Sequence, residues 1–228
     1  MSGNYWSSSQ LLQFYLPGKL KVSDKKAFSE ESIAHWNFIQ EIGDKIGLNQ
    51  RVLATASVLL KRYFFKKEQK VDYSLEQLVS ACVYLACKVE ESPVHIRTIC
   101  NEANGLWNLA LPIDRSLIAE LEFDIISVLE AYLIVYHPYP TLEQTFKDGL
   151  ITKTQLQLAW NIVNDSYASN LCLMVHPHQI AYAALILSCC DDENTMIQLM
   201  DILKASDSFK IILGIQASLS FYYRDEGD

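Results

Sequence analysis

The 228-residue sequence predicts an all-α chain: two tandem five-helix repeats with a short N-terminal helix. Three observations carry that expectation. Apolar residues recur at the 3.6-residue period of amphipathic helices through most of the chain, no alternating run is long enough for a strand, and one helical pattern occurs twice. Gln77–Cys87 lines up with Gln179–Cys189 at a spacing of 102 residues, and Leu53, Ala56, Leu59 and Leu60 match Leu156, Ala159, Ile162 and Val163 at 103. The expected boundaries are a leader at 1–28, a first repeat at 29–135 and a second at 136–228.

The elements follow in order. In the leader, Tyr5 and Trp6 precede Leu11, Leu12, Phe14, Tyr15 and Leu16, an apolar face for a short helix. The first long helix carries Ile33, Trp36, Ile39, Ile42 and Ile46 and ends near Gly47. The second carries Val52, Leu53, Ala56, Leu59, Leu60, Tyr63 and Phe64. The third starts at Ser74, whose partner Gln77 completes a capping box, and stops before Pro93. A fourth spans Ile96 to Ala103, and a fifth runs from Leu117 to Leu129. Tyr136-His137-Pro138-Tyr139-Pro140 joins the repeats. In both copies the third helix is rich in Ala, Ser and Cys, small enough for close helix approach, which makes it the centre of each bundle.

Composition narrows the function. A net charge of −8 argues against nucleic acid as a main partner, because phosphate binding needs a dense cationic face. The clusters Lys25-Lys26 and Lys61-Arg62 with Lys66-Lys67 read as solvated helix surface. No apolar run has the length of a membrane span, and the first twenty residues lack the pattern of a signal peptide. None of the six cysteines forms C-x-x-C, so buried free thiols are expected, with no zinc site or disulfide framework. The glycine spacing permits no phosphate loop. Neither His176-Pro177-His178 nor Glu90-Glu91 comes with a nucleophile or base, so neither makes a metal site or an acid pair; no catalytic role and no cofactor are expected. Trp107 and Trp160 read as core.

The informative stretch is Cys82-Val83-Tyr84-Leu85-Ala86-Cys87-Lys88-Val89-Glu90-Glu91-Ser92-Pro93. An apolar helix ends here in Lys88 and two glutamates. A terminal lysine can simply complement the helix dipole, for about 0.3–1 kcal/mol. Yet the second copy has Cys190 where the first has Lys88. A lysine needed to build the fold should recur in both copies, so Lys88 points outside the fold.

Leu85-Ala86-Cys87-Lys88-Val89-Glu90-Glu91 resembles the L-A-x-K-x-E-E signature of the cyclin box. The resemblance covers almost the whole chain. Gly3-Asn4-Tyr5-Trp6-Ser7-Ser8-Ser9, Leu133-Ile134-Val135-Tyr136-His137-Pro138-Tyr139 and Ala159-Trp160-Asn161-Ile162-Val163-Asn164-Asp165-Ser166-Tyr167 make it most similar to the Mediator-associated transcriptional branch of the cyclin family. That resemblance implies a non-catalytic subunit in the nucleus. It would bind and activate the cyclin-dependent kinase of the Mediator kinase module, alongside other module subunits, without direct contact to nucleic acid or membrane. In the family, the cyclin-box lysine and a glutamate on the fifth helix hold the mobile helix of the kinase. Lys88 matches the lysine; Glu122 fits the glutamate best, with Glu120 as the alternative. Glu91 is a lesser contributor. Tyr5 and Trp6 either anchor the kinase or pack on their own bundle. A cyclin-fold adaptor that binds peptides or DNA without activating a kinase is the competing expectation. Where cell-cycle cyclins carry an apolar substrate-docking patch, this chain has Glu31-Ser32-Ile33-Ala34-His35. Titration with an Arg-x-Leu peptide should therefore detect no binding there.

Overall fold

A computed structural model describes residues 4–15, 28–67, 73–109, 111–204 and 209–225. Lys25-Lys26 and Leu16 lie outside the described residues. Those described hold twelve α-helices and no strand. The chain divides into two compact units, Met1–Phe14 with Glu30–Val135 and Tyr15–Ser29 with Tyr136–Asp228.

In the first unit a 3₁₀ turn, Tyr5–Ser7, leads into α1 (Ser9–Phe14). Five longer helices follow: α2 (Glu30–Ile46), α3 (Gln50–Lys66), α4 (Leu75–Val89), α5 (Ile96–Trp107) and α6 (Arg115–Val128). α4 is the hub, packed against α2, α3, α5 and α6. Its small residues Ala81, Cys82 and Ala86 are fully buried, which is what lets four neighbours approach it. The capping box forms: Ser74 Oγ accepts from the Gln77 amide, and Gln77 Oε1 accepts from the Ser74 amide. α2 crosses α3 closely at Gly43, where a Cβ would fall on the Leu53 side chain.

The second unit contains α7 (Tyr139–Lys147), α8 (Lys153–Ser166), α9 (Leu171–Met174), α10 (Pro177–Ser188), α11 (Glu193–Lys204) and α12 (Phe209–Asp225). α10 is buried along most of its length like α4, and packs on α7, α8 and α12 as α4 packs on α2, α3 and α6. α9 has no counterpart among the described residues of the first unit. Four residues cannot display a period, so no sequence pattern announces it, although Leu171, Leu173 and Met174 are all buried.

Three sequence readings change. The fourth helix runs four residues beyond Ala103, because Trp107 donates from Nε1 to Glu41 Oε2 at 3.0 Å and Asn108, at φ +40°, closes the end. Trp107 and Trp160 are half-buried instead of core; Trp160 stacks on Tyr139 at 4.7 Å. Lys61 and Arg62 are not solvated surface but interior, 5% and 0% exposed. Lys61 donates to Ser57 Oγ, whereas Arg62 donates to the Tyr132 and Ile134 carbonyls and to Gln10 Oε1, and lies over the Phe14 ring. Of the cysteines, 82, 87, 100 and 189 are buried, 172 is half-buried and 190 is exposed.

α3 and α6 are also joined by Tyr63, which donates to Asp124 Oδ2 at 2.6 Å, and by Lys67, which donates to both oxygens of Asp124 at 2.9 Å. Burial first, then the hydrogen bond and the charge of Asp124, push the Tyr63 phenol far above its usual range. The folded chain therefore keeps a proton that the unfolded chain releases from about pH 10 upward. This contribution to stability is complete below that pH and is lost as pH rises toward the folded value. Urea unfolding midpoints should fall more steeply above about pH 10 for the wild type than for Tyr63→Phe.

Candidate protein-docking site

The site lies at the C-terminal end of α4. Its last turn would leave carbonyls without partners, and a Schellman arrangement supplies them. The Ser92 amide donates to the Cys87 carbonyl at 2.9 Å and the Glu91 amide donates to the Lys88 carbonyl at 3.2 Å. That geometry places Glu91 at φ +53°, a left-handed position that favours glycine.

Lys88 and Tyr84 are one helical turn apart, and the Lys88 ammonium sits 4.3 Å from the Tyr84 ring centroid. From α6, Glu122 meets the same ammonium, with Nζ donating to Oε1 at 2.6 Å and to Oε2 at 2.8 Å. The Lys88 side chain is 44% exposed and that of Glu122 17%. Partial burial works against the charge on Lys88, but the hydrogen bonds and charges of Glu122 and Tyr84 outweigh it and raise its pKa. The ammonium thus stays charged, directed at a carboxylate two helices along the chain. Phe123, next to Glu122, is 75% exposed.

Glu120 faces elsewhere and accepts from the Tyr73 hydroxyl at 2.9 Å. Geometry therefore pairs Lys88 with Glu122 and not with Glu120. Glu90 turns the other way. It is bound by Arg51 at 2.6 Å and accepts from the Thr55 hydroxyl at 2.6 Å, tying the end of α4 to the start of α3. Glu91 is exposed. Tyr5 and Trp6 form an edge-to-face pair at 5.4 Å in the 3₁₀ turn, and Trp6 is 59% exposed. Among the described residues of the leader, Phe14 and Gln10 are buried, while Leu12 is 73% exposed.

Sequence reasoning brings Lys88 and Glu122 forward but misses Tyr84, Arg51 and Phe123. The signal for Tyr84 is its i−4 position relative to Lys88. Arg51 leaves none, because its contact with Glu90 is set by the packing of α3 on α4. Among the described residues, no three His, Cys, Asp or Glu side chains are grouped to hold a metal, and no helix is long and apolar enough to cross a membrane.

Residues 16–134, about half of the chain, match the family described as "Cyclin, N-terminal domain". The chain belongs to the cyclin family. Two fungal relatives are each named "RNA polymerase II holoenzyme cyclin-like subunit". The one from Emericella nidulans is 35% identical over 204 residues, covering 82% of this cyclin and 67% of the relative. That from Saccharomyces cerevisiae is 39% identical over 157 residues, covering 66% of this cyclin and 48% of the relative. This cyclin thus spans from about half to two thirds of the length of these relatives. Among solved structures, a chain of the yeast RNA polymerase II CTD kinase CTDK-1 complex shares the fold at a TM-score of 0.72 and 16% identity, over 92% of this cyclin and 73% of that chain.

The position of Glu91 gives a test. A Cβ is disfavoured at its φ, so Glu91→Gly should raise stability by about 0.5–1 kcal/mol in urea titrations. If Glu91 contributes to docking, the same variant binds its partner less tightly. A backbone outlier kept against stability is a mark of use.

Proposed function

We propose that this cyclin is the regulatory subunit of a cyclin-dependent kinase of the RNA polymerase II machinery, acting in the nucleus within the Mediator kinase module together with that module's other subunits. The names of the fungal relatives and the Mediator-branch motifs at the chain's start, junction and second repeat support the assignment. The single observation that carries the mechanism is the pair of an exposed Lys88 with a partly buried Glu122.

A kinase needs the glutamate of its mobile helix paired with the lysine that positions ATP. Exposed carbonyls and amides near the end of that helix present acceptors and donors together. Lys88 offers three N–H donors and Glu122 two acceptor oxygens, already 2.6 Å apart and aligned. Holding them on rigid helices lowers the entropy cost of binding. Each charge-assisted bond to the partner is worth about 1.5–3 kcal/mol once apolar surface such as Phe123 and Tyr84 excludes water. The cyclin performs no chemistry; it binds the active kinase conformation more tightly than the inactive one and shifts the population. Glu91, Tyr5 and Trp6 extend the contact.

The test is purification of the full chain from its cells with whatever protein accompanies it, followed by a kinase assay of the eluate on an RNA polymerase II tail peptide. Kinase activity that elutes with the wild type is expected. An accompanying fraction without a kinase overturns the reading.

A further inference from the structure

Six prolines occur in the chain, and Pro93 alone follows a serine or threonine. Ser92-Pro93-Val94-His95 lies outside any helix, between α4 and α5. A residue before proline is held extended, the form in which a proline-directed protein kinase takes its substrate. Pro93 is exposed and Ser92 half-buried, and among the described residues the Ser92 hydroxyl makes no hydrogen bond. Helix termination does not explain the serine. At this position of a Schellman motif the backbone amide does the capping, and an apolar side chain is the usual occupant.

Ser92 opens on a cavity of about 390 Å³ whose walls include Asn49, Arg51, Glu90 and Glu91. Arg51 is 64% exposed and therefore able to swing while it binds Glu90 at 2.6 Å. A phosphate is a stronger partner for a guanidinium than an already shared carboxylate, through bidentate, doubly charged bonding.

We propose that Ser92 is a phosphorylation site for a proline-directed protein kinase, that Arg51 leaves Glu90 to hold the phosphate, and that the change weakens docking. In the step, Ser92 Oγ bonds to the γ-phosphorus of ATP and the bond from that phosphorus to the β,γ-bridging oxygen breaks. The hydroxyl proton passes to the base of the modifying kinase, and ADP leaves. The product carries about −1.5 to −2 charges at neutral pH beside Glu90 and Glu91. Glu90, without Arg51, repels it, and the tie between α3 and α4 is reduced to the Thr55 hydrogen bond, two residues from Lys88. The last part of the proposal rests on the docking function above.

The full chain is incubated with MgATP and a purified proline-directed kinase and mapped by peptide mass spectrometry. One phosphate on Ser92, absent in Ser92→Ala, is expected; no transfer to Ser92 in the folded chain overturns the site. Phosphorus NMR should then place the second ionisation of the phosphoserine below its ordinary value of about 6, with Arg51→Gln raising it. A titration indifferent to Arg51→Gln overturns the role of Arg51. Finally, the phosphorylated chain should bind the co-purified kinase about tenfold more weakly than the unmodified chain or Ser92→Ala. Equal binding overturns the regulatory part. If the unmodified chain and Ser92→Ala both fail to bind, the docking function falls, while the first two measurements still decide the site.

Discussion

Lys88→Glu should lose about 3 kcal/mol of affinity for the kinase, roughly a hundredfold in Kd, and with it kinase activation. The same substitution should cost the isolated cyclin less than about 1 kcal/mol, because the Lys88 side chain is 44% exposed and its charge is screened by solvent. Calorimetric binding and urea unfolding measured side by side separate the two effects. The double variant Lys88→Glu/Glu122→Lys sharpens the test. It rebuilds an ion pair across the same helices, so stability should return. Docking should not return, because the cation now rises from α6 and the partner's carbonyls meet a carboxylate. Recovery of binding along with stability would mean that the pair acts only by bracing its own repeat. A single Lys88→Glu that unfolds would place Lys88 in the structural framework instead.

Much of this site is legible in the order of residues alone, and the reason is local. The Ser74–Gln77 capping box, the period of α4 and the stop at Pro93 are all set by neighbours in sequence, so they fix where Lys88 emerges. The repeat adds the contrast with Cys190, which is what turns an ordinary terminal lysine into a candidate. Which glutamate pairs with Lys88 depends on the relative rotation of α4 and α6, a quantity no local pattern contains; the fold sends Glu120 to Tyr73 and Glu122 to Lys88. The basic run at Lys61-Arg62 fails in the opposite sense. Charge near a helix end normally means solvent, and only the chain returning after α6 supplies the carbonyls that hold Arg62 inside.

Arg62 is accordingly the site of the largest expected loss of stability. Its guanidinium is fully buried, and its acceptors include the Tyr132 and Ile134 carbonyls at 3.2 and 3.1 Å and Gln10 Oε1 at 3.0 Å. The segment it secures is strained, since Glu130 and Ala131 both adopt positive φ, +51° and +59°. Arg62→Met keeps the bulk over Phe14 and removes the donors, so it isolates the polar contribution. Taking its donors from these acceptors should cost roughly 3–5 kcal/mol, a large share of the about 5–15 kcal/mol that holds a domain together. Arg62→Lys should recover only part of this, because one ammonium on a flexible stem cannot span acceptors that a planar fork reaches together. Equilibrium urea unfolding of the three proteins measures the series. A methionine variant as stable as the wild type would mean that the chain after α6 needs no internal donor. The same residue connects leader to bundle through Gln10 and Phe14, so the loss should come with release of α1, seen as faster amide exchange over Ser9–Phe14 while α4 keeps its protection. That outcome separates the leader's packing, carried by Gln10 and Phe14, from whatever Tyr5 and Trp6 contribute to a partner.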